Sequence, residues 1–112
     1  MALQRSEVVL VPFPFTNLSA TKVRPAIVVS GSLYHSAEPD LVLAAITSQI
    51  ASATGQFDYL LHDWLQAGLR YPSAFKPVLF TLAPGRVLHH IGSLTALDTA
   101  EVDRRLRLVL EL

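Results

Sequence analysis

Apolar positions along the chain fall in short runs separated by turn-forming residues, a pattern that predicts strands joined by tight connections. "EVVLVPF" opens it: Glu7 to Val11 reads as a first strand, closed by Pro12 and Pro14. The long loop "PFPFTNLSATKVR" mixes aromatic, hydroxyl and basic residues, and "PAIVVS" follows as a second strand with Pro25 at its start. "GSLYHSAEPD" carries turn chemistry at Gly31, Pro39 and Asp40. "LVLAAITSQI" is nearly continuous in apolar residues and turns polar at its end, and "FDYLLHDW" predicts a short fourth strand. One or two helical turns are expected from about Asp63 in "DWLQAGLRYP", ended by Gly68 and Pro72. In "SAFKPVLFTL" Pro77 points to an edge position or a bulge, and "PGRVLHHIGSL" reads as a turn with one short helix.

The C-terminal segment carries the clearest helical period. Val102, Leu106, Val109 and Leu110 share one face. Asp98 suits an N-cap, with Glu101 three residues on and Leu97 and Val102 placed as a hydrophobic staple. Asp103 and Arg107 are spaced to pair, and the acids precede the arginines as the helix dipole prefers. Five or so short strands before one terminal helix predict a mainly β (α+β) domain: a mostly antiparallel barrel or curled sheet with the helix packed on it.

Composition narrows the partners. The chain has 112 residues, for which one domain spanning 1–112 is expected. Hydrophobic residues make up 51% and charged residues 16%, so part of the apolar surface is expected to be covered, most simply by a second copy. The absence of cysteine removes disulfides, thiolate metal sites and thiol nucleophiles, and suits a reducing cytoplasm. "MALQRSEVVLV" has one basic residue and an apolar run cut by Pro12, so no signal peptide is expected. The longest uncharged window, Leu41 to Phe57, is too polar for a membrane span. The net charge is zero, but Arg5, Lys22 and Arg24 face Glu7 alone within residues 1–37.

Four sets of residues could carry chemistry. His35, His62, His89 and His90 have no ligand spacing, and the adjacent pair diverges in a helix or a strand, so ordinary surface or half-buried histidines are expected. The nine carboxylates are scattered, without the pairing of a glycosidase or a Mg²⁺ site. Arg24 is different: the residue before a proline is biased to extended backbone, and Pro25 leads into an apolar strand, so the guanidinium has a rigid base from which to hold phosphate oxygens. Finally, in "ITSQ" three hydrogen-bonding side chains follow the apolar run, which reads either as a strand emerging into solvent or as the edge of a site.

"EVVLVPFPFTNLSATKVRPAIVVS" followed by "LAAITSQI" resembles the MazF/PemK family of toxin endoribonucleases, the toxins of toxin–antitoxin pairs. The likeness continues through "DWLQAGLRYPSAFKPVLFTL", with its Gly-Leu-x-x-Pro-Ser element at Gly68 to Ser73, and "IGSL" into the terminal helix. It implies an SH3-like antiparallel β-barrel with a C-terminal helix, a homodimer, a cognate antitoxin, and cleavage of single-stranded RNA with no metal or other cofactor. The motif arginine and threonine, here Arg24 and Thr47, would be the catalytic pair. Phe15, Asn17, Lys22, Ser48, Gln49 and Lys76 are the candidate RNA contacts: Phe15 to stack on a base, Asn17 to read a base edge, Lys22 to hold the backbone. Phe13 and Phe15, beside prolines, also suit plugs of the core. Ser6-Glu7 replaces the Gly-Asp of many relatives, and His89-His90 stands where relatives often carry a basic residue. A toxin of this fold that acts by binding alone, an inactive antitoxin-binding relative and a peptide-binding adaptor are the competing readings.

Overall fold

The structure, a computed structural model, describes residues 3–13 and 22–112. Six strands, β1 (Glu7–Phe13), β2 (Lys22–Val28), β3 (Leu41–Thr47), β4 (Tyr59–Leu60), β5 (Ala74–Leu82) and β6 (His89–Ser93), form one sheet in the order β4-β5-β3-β2-β1-β6. Every pairing is antiparallel, and the sheet curls into a half-barrel against a C-terminal helix. A short helix, α1 (Ser32–Ala37), joins β2 to β3, and the terminal helix α2 spans Ala96–Leu110. Among the described residues no helix is long and apolar enough to cross a membrane.

Both faces of the sheet carry a core, which is why its central strands read as nearly unbroken apolar runs. Strand alternation sends Val8, Ile27, Ala44 and Ile46 to one face, where they meet Phe75, Leu61, Leu94 and the Val102 and Leu106 of α2. Val9, Val11, Ala26, Val28, Leu41, Leu43 and Leu82 fill the other. Phe13 packs edge-to-face on Phe80, with centroids 5.2 Å apart, so this aromatic does anchor the sheet.

Three prolines lie inside strands, each where the hydrogen-bond ladder has a gap. β1 continues to Phe13 rather than stopping at Val11, because β6 accompanies it only as far as Leu10 and leaves one flank open at Pro12. β2 starts at Lys22, before Pro25, and β3 joins it only from Ala26. Arg24 therefore sits within a strand, opposite Val11, and not at the strand's mouth. Pro77 falls in the bulge on β5 where the register jumps from Ala44↔Leu79 to Ala45↔Lys76.

Other expectations shift. "GSLYHSAEPD" contains α1, and "HHIGS" is the sixth strand, paired to β1. A single 3₁₀ turn, Pro84–Arg86, precedes it. Residues 62–68 form a run of turns, not a regular helix. They are closed by Gly68 at φ +92°, where an added Cβ would lie 2.6 Å from the Ile91 carbonyl oxygen.

The cap of α2 is Thr95, whose hydroxyl accepts from the Asp98 N–H at 3.4 Å. Asp98 is instead fully buried one turn in. Its carboxylate accepts from the Tyr59 hydroxyl at 2.5 Å and from the backbone N–H groups of His62 at 3.0 Å and Asp63 at 2.8 Å. Leu97 is half exposed, so no staple forms around it. Asp103 pairs with Arg5 across the fold, at 3.1 Å to Nη1, rather than with Arg107.

A cleft at the open flank of the sheet

The functional candidates sort by whether the fold has already used their polar atoms. On β2 the edge at Arg24 away from β1 has no strand partner among the described residues, and the half-buried Arg24 borders open space there. That space is a cleft of about 630 Å³. Leu10, Pro25, Ile46, Leu69 and Ile91 give it an apolar lining, with Arg24, Ser48, Arg70, Tyr71, Ser73 and His89 among them. Pro25 and His89 flank Leu10 on the same rung of the sheet, one from β2 and one from β6, which ties the two sides of the cleft to one rigid strand.

The turn segment builds the remaining wall. Gly68 lies against Ile91, and Gly92 lies against Ala67, where an added Cβ would stand 2.4 Å from the Ala67 carbonyl oxygen. The two glycines thus let the turn backbone dock directly on β6. From this dock the chain passes through Arg70 and Tyr71, both exposed, before Ser73 donates its hydroxyl to the Tyr71 carbonyl at 2.7 Å and β5 begins. The segment is held from behind by Asp98. Burial, and then the hydrogen bond to Asp98, push the Tyr59 phenol well above its ordinary value, so Tyr59 stays a neutral donor. Arg105 lies over the Tyr59 ring, 4.4 Å from its centroid. Thr95, by donating a hydrogen bond, and then His62 hold Asp63 below the usual carboxylate range.

Arg24 and Arg70 are among the residues lining the cleft, and no carboxylate is. Among the described residues the side chains of Arg24, Arg70, Tyr71 and His89 make no hydrogen bond or ion pair, so their donors are free for a ligand. No group of three or more His, Cys, Asp or Glu among the described residues is placed to hold a metal.

Thr47 ends β3 beside the cleft. Its hydroxyl accepts from the Gln49 N–H at 3.0 Å, which leaves the O–H donor available. Ser48 lines the cleft; Gln49 and Lys22 are exposed nearby in sequence but not among its lining. Lys76 is engaged elsewhere: its ammonium lies 2.9 Å from Asp58, whose side chain is buried. Phe15 and Asn17 lie outside the described residues. The histidines are separated, with His35 against Ser30 at 2.6 Å, His62 against Asp63, His90 3.6 Å from Glu7, and His89 in the cleft. Sequence reasoning names neither Arg70 nor Tyr71 as a candidate, and it reads His89 as an ordinary surface or half-buried histidine. A charged and an aromatic residue set between Gly68 and Pro72 was the available signal for the first two.

Residues 4–110 match the family of PemK-like, MazF-like toxins of type II toxin–antitoxin systems. The chain belongs to this family. A comparison with curated protein sequences finds no match. Among solved structures, this MazF-like chain is similar to a mycobacterial endoribonuclease in complex with its cognate antitoxin, with TM-score 0.79 and 15% identity over 99% of this chain and 97% of that one. It is similar as well to the Mycobacterium tuberculosis toxin MazF-mt6, with TM-score 0.73 and 16% identity over 95% and 97%. MazF from Deinococcus radiodurans gives TM-score 0.75 and 21% identity over 100% and 99%. At these identities the likeness establishes the fold; the chemistry of this MazF-like chain rests on its own residues.

Proposed function

We propose that this toxin is an endoribonuclease that cleaves single-stranded RNA in the cleft at Arg24, using the RNA's own 2′-OH as nucleophile. The observation that carries the reading is an open cleft lined by Arg24 and Arg70 and by no carboxylate, with neither guanidinium bonded to another side chain among the described residues. A scissile phosphate held there would have its non-bridging oxygens on Arg24, where charge grows as the phosphorane-like transition state forms. Thr47 would add the O–H donor that its bond from Gln49 leaves spare. The 2′-oxygen attacks the adjacent phosphorus, the P–O5′ bond breaks, and the ends left are a 2′,3′-cyclic phosphate and a 5′-OH. Each step needs only positioned donors and proton transfer, so no cofactor enters the scheme.

Arg70 and Tyr71 extend the binding surface, the ring as a platform for an unpaired base and the guanidinium for the neighbouring phosphate. Ser48, Gln49 and Lys22 line the RNA's path on either side of the catalytic pair, joined by Phe15 and Asn17 from the stretch of sequence between β1 and β2. Lys76 contributes least, because Asp58 already holds its ammonium.

The partners of this reading are a second copy and an antitoxin. An apolar groove of about 610 Å³, bordered by Tyr34, Leu79, Leu106, Leu110 and Leu112, is the surface a second copy would cover. An acidic segment of the cognate antitoxin would occupy the cationic cleft and so shut off RNA; the mycobacterial relative was solved with its antitoxin.

The test is to incubate the purified chain with protein-free single-stranded RNA in EDTA and analyse the product ends. The expected ends are a 2′,3′-cyclic phosphate and a 5′-OH. A 5′-phosphate would overturn the mechanism, and growth arrest on induction with all RNA intact would instead mark a toxin that acts by binding.

A further inference from the structure

β2 and β3 part beyond their last rung, Ala26↔Ala45, and Pro25, the residue before Ala26, brings no N–H to extend the ladder. Strand alternation sorts the residues past that rung. Arg24 shares the face of Ala26, and Thr47 shares the face of Ala45, the partner of Ala26. Pro25 and Ile46 belong to the other face, with Leu10, Ile27 and Ala44. His89, opposite Leu10, is on that second face too. The proposed catalytic pair and the floor of the cleft thus lie on opposite faces of the sheet. Yet they are adjacent in sequence, Arg24 to Pro25 on β2 and Thr47 to Ile46 on β3, and Arg24 itself borders the cleft at the open edge of β2.

The interior of the cleft has chemistry of its own, and it is not that of a phosphate site. Leu10, Pro25, Ile46, Leu69 and Ile91 line it, and the last three belong to the core beneath or pack against it. Two further lining residues, Val23 and Tyr71, are 50% and 65% exposed, so the fold leaves apolar surface uncovered here. The polar groups are few and differ in what they offer. Ser73 is buried and gives its proton to the Tyr71 carbonyl, so its oxygen is left as an acceptor. Ser48 makes no side-chain hydrogen bond among the described residues and can donate or accept, as can the His89 ring. An apolar slot with an exposed ring and a few hydrogen-bonding groups suits a flat, uncharged body with a polar edge, which is the description of an unpaired nucleobase.

We infer that this cleft is a nucleobase pocket that sets the sequence preference of cleavage, taking the base of a nucleotide that adjoins the scissile phosphate. The inference rests on the nuclease reading above. The phosphate stays with Arg24 and Thr47 at the open edge of β2, and the base enters on the cleft side of that edge. Because the two sets of residues are sequence neighbours on both strands, the groups they hold are neighbours along one RNA chain. The Tyr71 ring stacks on the base, the apolar floor keeps water from it, and Ser48, Ser73 and His89 meet its hydrogen-bonding edge. The cleft thereby acts on the choice of site, and the bond-breaking step is left to the other face.

The experiment begins by sequencing the ends that wild type leaves in a mixed-sequence, protein-free ribosomal RNA in EDTA, which gives the base preference on each side of the cut. A strong preference is expected at a position adjoining the cut. A short single-stranded RNA carrying that site is then compared with the same RNA made abasic at that position. Wild type should cut the abasic RNA roughly 5- to 150-fold more slowly. Tyr71→Ala, which removes the stacking ring, should lose most of that penalty. His89→Trp, which narrows the cleft, should change or flatten the base preference in the ribosomal RNA. Both residues are exposed, so both variants are expected to melt with the wild type. If wild type cuts the abasic RNA as fast as the intact one, or if both variants keep the wild-type preference and penalty, the cleft is not the base pocket while the nuclease reading stands. If wild type leaves all RNA intact, the nuclease reading fails and this assignment falls with it.

Discussion

The Asp98 hub and the Arg24 cleft both gather polar groups against an apolar floor, and the fold treats them in opposite ways. Around Asp98 each carboxylate oxygen meets a donor from Tyr59, His62 or Asp63, and no described buried side-chain nitrogen or oxygen lacks a partner. Arg24 borders an open cleft, and its donors bind nothing among the described residues. A satisfied buried network specifies structure, whereas unsatisfied groups converging on a concave surface are the mark of a ligand site. The two regions are joined, because the hub anchors the turn segment whose far end, Arg70 and Tyr71, walls the cleft.

Changes in the cleft should therefore cost activity and spare stability, and changes in the hub should do the reverse. Arg24→Ala should reduce RNA cleavage by at least about 100-fold, measured as the initial rate in EDTA, with a melting temperature close to that of wild type. Asp98→Ala orphans two backbone N–H groups and a phenol, and should lower stability by about 3 kcal/mol or more, which in thermal melting is roughly 10 °C or more. If Asp98→Ala melts with the wild type, the hub does not hold the fold.

Gly68→Ala sits on the junction. Its methyl would press on the Ile91 carbonyl and its φ of +92° is strained for any side chain, so both readouts should move: about 1–3 kcal/mol in melting and a fall in cleavage as the wall shifts. Tyr59→Phe tests the hub by pH. The phenol's pKa is raised on folding, so its contribution is whole below about 10, its ordinary value, and is lost as pH climbs toward the raised value of the folded state. Wild type should lose stability in that alkaline range, and Tyr59→Phe should not show the same loss. Smallest of all, Lys76→Ala should change RNA affinity by no more than about twofold, since that ammonium is spent on Asp58.

The parts of the fold that sequence made legible are those whose signal is local. β2 and β3 show as apolar runs because both faces of the sheet are buried, and the bulge on β5 shows through Pro77. β6 does not show, since "HHIGS" has neither alternation nor length and becomes a strand only by pairing with β1. α1 buries no residue, so it has no apolar stripe to betray it. At the start of α2 both Thr95 and Asp98 suit a cap, and the choice between them is made by Tyr59, His62 and Asp63 far away in the chain. The candidate site divides in the same way. Arg24 and the "TSQ" edge are visible from their neighbours in sequence, whereas His89, Arg70 and Tyr71 join Arg24 in the lining of the cleft only after five chain segments have come together.

The division between cleft and hub is tested most directly by NMR titration of the isotope-labelled chain with a mixed-sequence 2′-deoxy oligonucleotide, which lacks the attacking hydroxyl and is not cleaved. The account predicts that chemical shifts move at Arg24, Ser48, Gly68 to Ser73 and His89, while the resonances of Asp58, Lys76 and the Asp98 network stay in place. Shifts concentrated on the hub or on the Asp58–Lys76 pair, with the cleft silent, would contradict it.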